Sequence, residues 1–154
     1  MKGKFYGIGV GVGDPELLTI KAVNRLKNLD CIVLPEAKSG EGSTAFEIAK
    51  EYLKENTEKL YLEFPMIKDL DKKIETRKNN AQIIARELEK GKNIGFLTIG
   101  DPMIYSTYSY VLDYLKKEKK IRRVIELTRI KIRGVEAAIN KDGELWNKTF
   151  NLMN

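Results

Sequence analysis

Histidine is absent from this 154-residue sequence, cysteine occurs once, at Cys31, and proline only four times. Without histidine there is no Ser-His-Asp or Cys-His catalytic set, no imidazole ligand for zinc or iron and no imidazole general base. A single cysteine rules out an intrachain disulfide and a thiolate cluster, and no metal site is expected. No stretch approaches the roughly 18 uninterrupted apolar residues of a membrane span. The first residues, Met1 to Phe5, lead into a strand-like segment without an apolar leader core. A cytoplasmic protein with no membrane partner is the expectation. With 42% hydrophobic and 32% charged residues, the chain is too apolar for disorder and can fill a core. Its length suits one domain.

Acidic residues are scarce in one place. Residues 116–133 hold nine Lys or Arg against Glu118 and Glu126, a net charge of +7, while the remainder sums to −1. The formal charge of +6 is therefore local. A nucleic-acid surface would explain it, but the run has no aromatic residue on which a base could stack. It is expected to be a solvated face able to attract a polyanionic small molecule, and no nucleic-acid partner is expected.

Apolar runs alternate with amphipathic stretches in the order β-α-β-α-β-α-β-α-β. Strands are expected over 5–10, 31–34, 60–64 and 93–99, with a fifth beginning at Val124. Helices are expected over 15–28, 43–55, 69–90 and 105–117. Asp14 and Pro15 suit the N-cap and first position of the first helix, in which Leu18, Ala22, Leu26 and Leu29 recur at helical spacing. Ser43 or Thr44 would cap the second, with Phe46, Ala49 and Leu53 on one face. In the third, Ile74, Ala81, Ile84, Ala85 and Leu88 should face inward before Gly91 closes it. The order predicts an α/β fold, a largely parallel five-stranded sheet with helices on both faces. It would occupy 1–127, followed by a poorly specified tail over 128–154. Ligands in such sheets sit beyond the carboxyl ends of the strands, which directs attention to 9–14, 35–42 and 100–106.

The first of these loops lies in Gly7-Ile8-Gly9-Val10-Gly11-Val12-Gly13-Asp14-Pro15-Glu16-Leu17-Leu18-Thr19. Alternate glycines between a strand and a helix permit positive φ and close approach of main chain to a ligand. They also suit a plain tight turn. The dinucleotide fingerprint fails on spacing: counted from Gly9, the third glycine position holds Asp14, whose carboxylate would repel a pyrophosphate. Glu36 stands where a ribose-binding acid would, as a single match. The lack of Gly-Lys-Ser/Thr excludes a nucleoside-triphosphate loop.

The later loop lies in Phe96-Leu97-Thr98-Ile99-Gly100-Asp101-Pro102-Met103-Ile104-Tyr105-Ser106-Thr107-Tyr108. Gly100 lets a ligand approach the main chain, Pro102 stiffens the turn, and Asp101 stands at the carboxyl edge of the sheet. Ser106 and Thr107 can cap the next helix or hydrogen-bond a ligand. An Asp-Pro turn with Ser/Thr capping would read the same way.

Together, Gly-x-Gly-x-Gly-Asp-Pro-Glu-Leu-Leu-Thr and, about ninety residues on, a strand running into Gly-Asp-Pro-Met-Ile-Tyr-Ser-Thr resemble the tetrapyrrole (corrin/porphyrin) methylases. The resemblance runs from about 4 to 115, and the segment from Leu97 to Tyr108 is most similar to the precorrin-2 C-20 methyltransferase branch. It implies a methyltransferase of cobalamin synthesis with S-adenosylmethionine as cofactor. The cofactor would be held by Gly100, Asp101, Pro102, Met103, Ile104, Ser106 and Thr107, and by Val12. The tetrapyrrole, precorrin-2 or cobalt-precorrin-2, would face Gly11, Gly13 and Asp14. No catalytic acid or base is implied, because displacement at a sulfonium needs alignment more than proton transfer. Asp14 reads better as a helix cap than as a proton acceptor.

The resemblance also implies a cofactor clamped between two α/β domains, and a homodimer. The family's second domain opens with a Pro-Gly-Ile/Val-x-Ser/Thr element, and here Thr128 to Gly134 stand in its place. The expectation is a truncated chain, lacking that second domain, that folds but does not turn over alone. Two alternatives remain: a non-catalytic, self-associating module that retains the fold, and a nucleotide-binding oxidoreductase, which Asp14 disfavours.

Overall fold

The computed structural model describes residues 3–37, 40, 42–104 and 106–118, and the main chain of 124–126. Successive side chains of its first strand, β1 (Phe5–Gly9), point to opposite faces of a sheet. Phe5 joins one core cluster, and Tyr6 and Ile8 join the other. β2 (Cys31–Glu36), β3 (Glu58–Glu63), β4 (Ile94–Thr98) and β5 (Val124–Glu126) complete a parallel sheet in the order β3-β2-β4-β1-β5. β5, three residues long, is an edge strand beside β1.

Helices α1 (Ile20–Leu26) and α2 (Thr44–Ala49) cover the face of Tyr6, Ile8, Ile32, Leu34 and Leu97. Helices α3 (Leu70–Glu89) and α4 (Thr107–Lys117) cover the face of Phe5, Cys31, Val33, Ile94 and Phe96. Strands covered on both faces need near-continuous apolar runs; β1, β2 and β4 are such runs, whereas the edge strand β3 buries only Leu62.

From β1 the chain moves outward through β2 to β3, then reverses and inserts β4 between β2 and β1. With right-handed crossovers, the reversal moves the connecting helices to the other face. β1 and β4 are thus neighbours whose connections depart to opposite sides. That arrangement opens a crevice at their carboxyl ends, the usual ligand position in open α/β sheets.

Four details differ from the sequence expectation. The helix over 15–28 is broken: Asp14 caps only a 3-10 turn, Pro15–Leu17, Leu18 is extended, and α1 starts after Thr19. The Thr19 hydroxyl accepts from Ala22 N at 3.1 Å, a local bond that competes with continuing the first turn. Likewise α2 stops at Ala49 and gives way to a 3-10 turn, Lys50–Tyr52, before an extended Leu53 leads back toward β3. The fourth helix begins at Thr107 instead of 105 because the buried Ser106 caps it.

Ile74 is 53% exposed, not inward. The 20 residues of α3 span about 30 Å, whereas the five of β4 span about 17 Å. Half of the helix must overhang the sheet. Its buried residues start at Asn80, whose side chain donates to the Glu63 carbonyl, the end of β3, at 2.7 Å. Residues 70–79 project past the carboxyl edge. The fifth strand's expected continuation at Leu127, the tail over 128–154 and most of the basic run lie outside the described residues.

Candidate functional site

The glycine loop and the Gly-Asp-Pro loop, far apart in sequence, meet because β1 lies beside β4. Val10 N donates to Thr98 O at 2.9 Å, and Gly100 N donates to Gly11 O at 3.0 Å. Gly11 and Gly100 have φ of 82° and 71°, a region that glycine occupies without a Cβ penalty. A Cβ on Gly100 would meet nothing within 4 Å, so the main chain there lies open.

Gly7 serves packing beneath the site. A Cβ on it would lie 2.7 Å from Tyr108 Cζ and 3.1 Å from Pro102 Cβ. The Tyr108 ring stacks on Phe5 with centroids 5.2 Å apart and meets Phe96 edge-on at 5.6 Å. The Gly-Asp-Pro loop therefore rests on a fixed aromatic floor.

Within the loop, Asp101 Oδ1 accepts from Met103 N at 2.7 Å, and Ile104 N donates to Asp101 O at 3.1 Å. Pro102 is buried, and Met103 packs against the core. Ser106 Oγ accepts from Tyr108 N at 3.2 Å and donates to Thr98 Oγ1 at 3.4 Å. The structure thus brings together Val12, Gly11 and the segment from Gly100 to Ile104. It commits the side chains of Pro102, Met103 and Ser106 to the protein, leaving Val12 and Ile104 exposed. Asp14 Oδ1 accepts from Glu16 N at 2.8 Å, the geometry of a cap.

Glu36 is buried, and its two oxygens accept from Gly40 N at 3.1 Å and Gly42 N at 3.3 Å. Both oxygens hold their own loop, unlike those of an acid facing a ribose. Cys31 is buried at the start of β2; burial first, then the nearby Glu58 carboxylate, pushes its thiol up to about 12. An inert thiol is the consequence. Among the described residues no group of three or more Cys, Asp or Glu could hold a metal ion, and no helix is long and apolar enough to cross a membrane.

Sequence reasoning missed one feature. Beside Thr107, the overhanging part of α3 and the segment after β3 enclose a cleft of about 480 Å³, carrying Lys68, Lys73 and Arg77. The four-residue spacing of Lys73 and Arg77 was a visible signal, but only the overhang exposes what it does.

A parallel sheet with its glycine loop and Gly-Asp-Pro loop hydrogen-bonded at one carboxyl edge defines the class, and the chain belongs to the Tetrapyrrole (Corrin/Porphyrin) Methylases, matched over residues 4–125. Among particular proteins, it is 44% identical over 115 residues to the "Probable cobalt-precorrin-2 C(20)-methyltransferase" of Methanocaldococcus jannaschii, covering 74% of this chain and 48% of that one. It is 38% identical over 112 residues to the cobalt-precorrin-2 C(20)-methyltransferase of Salmonella typhimurium, covering 73% and 47%. The chain spans about half the length of these curated relatives. In fold it is similar to uroporphyrin-III C-methyl transferase from Thermus thermophilus, solved with S-adenyl homocysteine (TM-score 0.58, 22% identity, 83% of this chain and 45% of that one).

Proposed function

We propose that the chain forms the cofactor-binding half of an S-adenosylmethionine-dependent methyltransferase of corrin synthesis, acting on C-20 of precorrin-2 or cobalt-precorrin-2. The observation that carries this is the Gly100-to-Gly11 hydrogen bond, which sets the two glycine loops side by side at the sheet's carboxyl edge. The residues present fit the cofactor. The main chain at Gly100 is open, Val12, Ile99 and Ile104 offer exposed apolar surface, and Asp101 spends only Oδ1 on its own loop. Bound S-adenosylmethionine would supply an electrophilic methyl group. The chain's part is to orient it: Gly100 to Ile104 hold one side by main chain, and the aromatic floor keeps that loop from shifting. Gly11, Gly13 and Asp14 face the tetrapyrrole. Alignment is the main contribution a protein makes to such a displacement, so the missing histidine is no obstacle.

Calorimetric titration with S-adenosylhomocysteine tests this, with NAD as the contrast. Heat of binding with the first and none with the second is expected; binding of NAD alone would overturn the reading. Incubation of the chain with precorrin-2 and labelled S-adenosylmethionine is expected to transfer no label. The described residues hold the cofactor from one side, and a misplacement of about 1 Å already costs about a hundredfold. A second reading, a self-associating module without catalysis, draws on the exposure of Val12, Ile99, Ile104 and Met66 on this edge. Sedimentation velocity would show it as a dimer, and calorimetry would show that it binds neither S-adenosylhomocysteine nor NAD. A homodimer is equally compatible with the first reading.

A further inference from the structure

Lys68, Lys73 and Arg77 gather in one cleft where α3 overhangs the sheet. Among the described residues none of the three pairs with a carboxylate, although adjacent Lys72 is paired with Asp69 at 3.7 Å. Lys73 and Arg77 are partly withdrawn from water. The Arg77 guanidinium lies 3.5 Å over the Tyr110 ring of α4. Stacking fixes its plane and leaves its N–H edges for an acceptor. Phe64 and Met66, the latter 92% exposed, supply apolar surface beside these cations. A planar guanidinium can pair bidentately with a carboxylate, and the apolar wall of Phe64 and Met66 suits the organic ring that would carry it.

We propose that this cleft is a carboxylate subsite, in which Arg77 and Lys73, with Lys68, hold an acid arm of an organic polycarboxylate while Phe64 and Met66 pack against its ring. The assignment rests on the reading above to the extent that a carboxylate-rich tetrapyrrole is the expected occupant. Thr107 lines the cleft and directly follows the Gly-Asp-Pro loop, so an arm anchored here holds the rest of its molecule beside that loop.

Uroporphyrin III, a flat ring with eight carboxylates, is a suitable probe, titrated by absorbance against the full chain. Arg77→Gln should weaken binding about tenfold, as expected for loss of a charge-assisted hydrogen bond, and Lys73→Gln with Arg77→Gln should weaken it further. Arg77→Lys should restore part of the loss, and Lys54→Gln, at the opposite end of the sheet, should change nothing. Unaltered melting temperatures would show that the variants fold. Wild-type affinity in the double variant, or no uroporphyrin binding by the wild type, overturns the proposal. Displacement by millimolar inorganic phosphate but not by acetate overturns the choice of carboxylate. S-adenosylhomocysteine titrations separate this from the methyltransferase reading. Lost uroporphyrin binding with intact homocysteine-nucleoside binding supports the subsite. A wild type that binds uroporphyrin through these cations but no S-adenosylhomocysteine sinks the methyltransferase reading and leaves the subsite standing.

Discussion

The two ends of the sheet treat charge and apolar surface in opposite ways. At the amino end, Lys92 reaches both Glu58 at 2.6 Å and Glu87 at 2.7 Å, Lys90 pairs with Glu87 at 2.6 Å, and Asp30 accepts from Asn93 N at 2.7 Å. Hydrogen bonds from these lysines hold the Glu87 carboxyl below its ordinary range and the Lys92 ammonium above its own. At the carboxyl end, Lys68, Lys73 and Arg77 have no such partners among the described residues, and Val12, Met66, Ile99 and Ile104 are exposed. Folding alone accounts for the first end. At the second, the described residues leave cations and apolar surface without a counterpart, and that contrast draws attention to this edge more sharply than any one motif.

The largest effect that would test the contrast is predicted at Gly7, which supports the carboxyl end from below. Gly7→Ala pushes a methyl into Tyr108 and Pro102 and should cost about 1–3 kcal/mol, the range for overpacking. S-adenosylhomocysteine binding should be lost with it. Urea denaturation and calorimetry measure the two; a variant as stable as the wild type would mean that the aromatic floor yields freely. Asp101→Ala should separate the properties, lowering stability by about 1 kcal/mol or less, as at a loop position, while weakening S-adenosylhomocysteine binding about tenfold. Gross unfolding in a thermal melt would make Asp101 structural.

At the amino end, Lys92→Met should cost about 1 kcal/mol or less and leave ligand binding unchanged. Glu87, whose pKa is depressed, stabilises the fold above its ordinary value of 4.5 and loses that contribution as pH falls through its folded value. The wild type should therefore lose more stability than Lys92→Met between pH 5 and 3; equal slopes would show that the Lys92 contacts contribute nothing beyond the Lys90–Glu87 pair that both proteins keep. The smallest effect concerns Cys31. Its raised pKa favours the fold fully below about 9, with the advantage fading as pH climbs toward about 12. Native protein at pH 8 should resist a thiol-disulfide reagent that labels it readily in guanidinium. Rapid native labelling would contradict its burial.

Strand positions and helix faces were legible because short apolar runs and 3.6-residue patterns are local. Ala22 and Leu26 are buried as their spacing in α1 requires, and Leu18 and Leu29, outside the helix, are buried as well. The α1 break was written in Asp14 and Thr19, two cap residues five apart, but choosing between one long helix and two short ones depends on contacts beyond the segment. Ile74 was misjudged because periodicity identifies a face without saying whether a sheet lies under it. The glycine and Gly-Asp-Pro loops were each visible, and so was their position at strand ends. Their contact depends on β4 inserting beside β1, which no local pattern records. The grouping of the cleft's cations was hidden for the same reason: the spacing of Lys73 and Arg77 could be read, but with Lys68 they become a group only once the helix outruns the sheet.

That overhang also divides one helix into two regimes of local stability. Over 80–89 the amides of α3 can open only if the core beneath them opens, so their hydrogen exchange should report global unfolding. Over 70–79 no sheet lies below, and the turns can fray from the Asp69 cap inward without disturbing a strand. Exchange protection should fall by orders of magnitude along a helix that is continuous in its hydrogen bonding, with the step near Asn80. Lys73, Thr76 and Arg77 lie on the faster side, so the wall of the cleft can adjust to an occupant while the body of the protein stays closed.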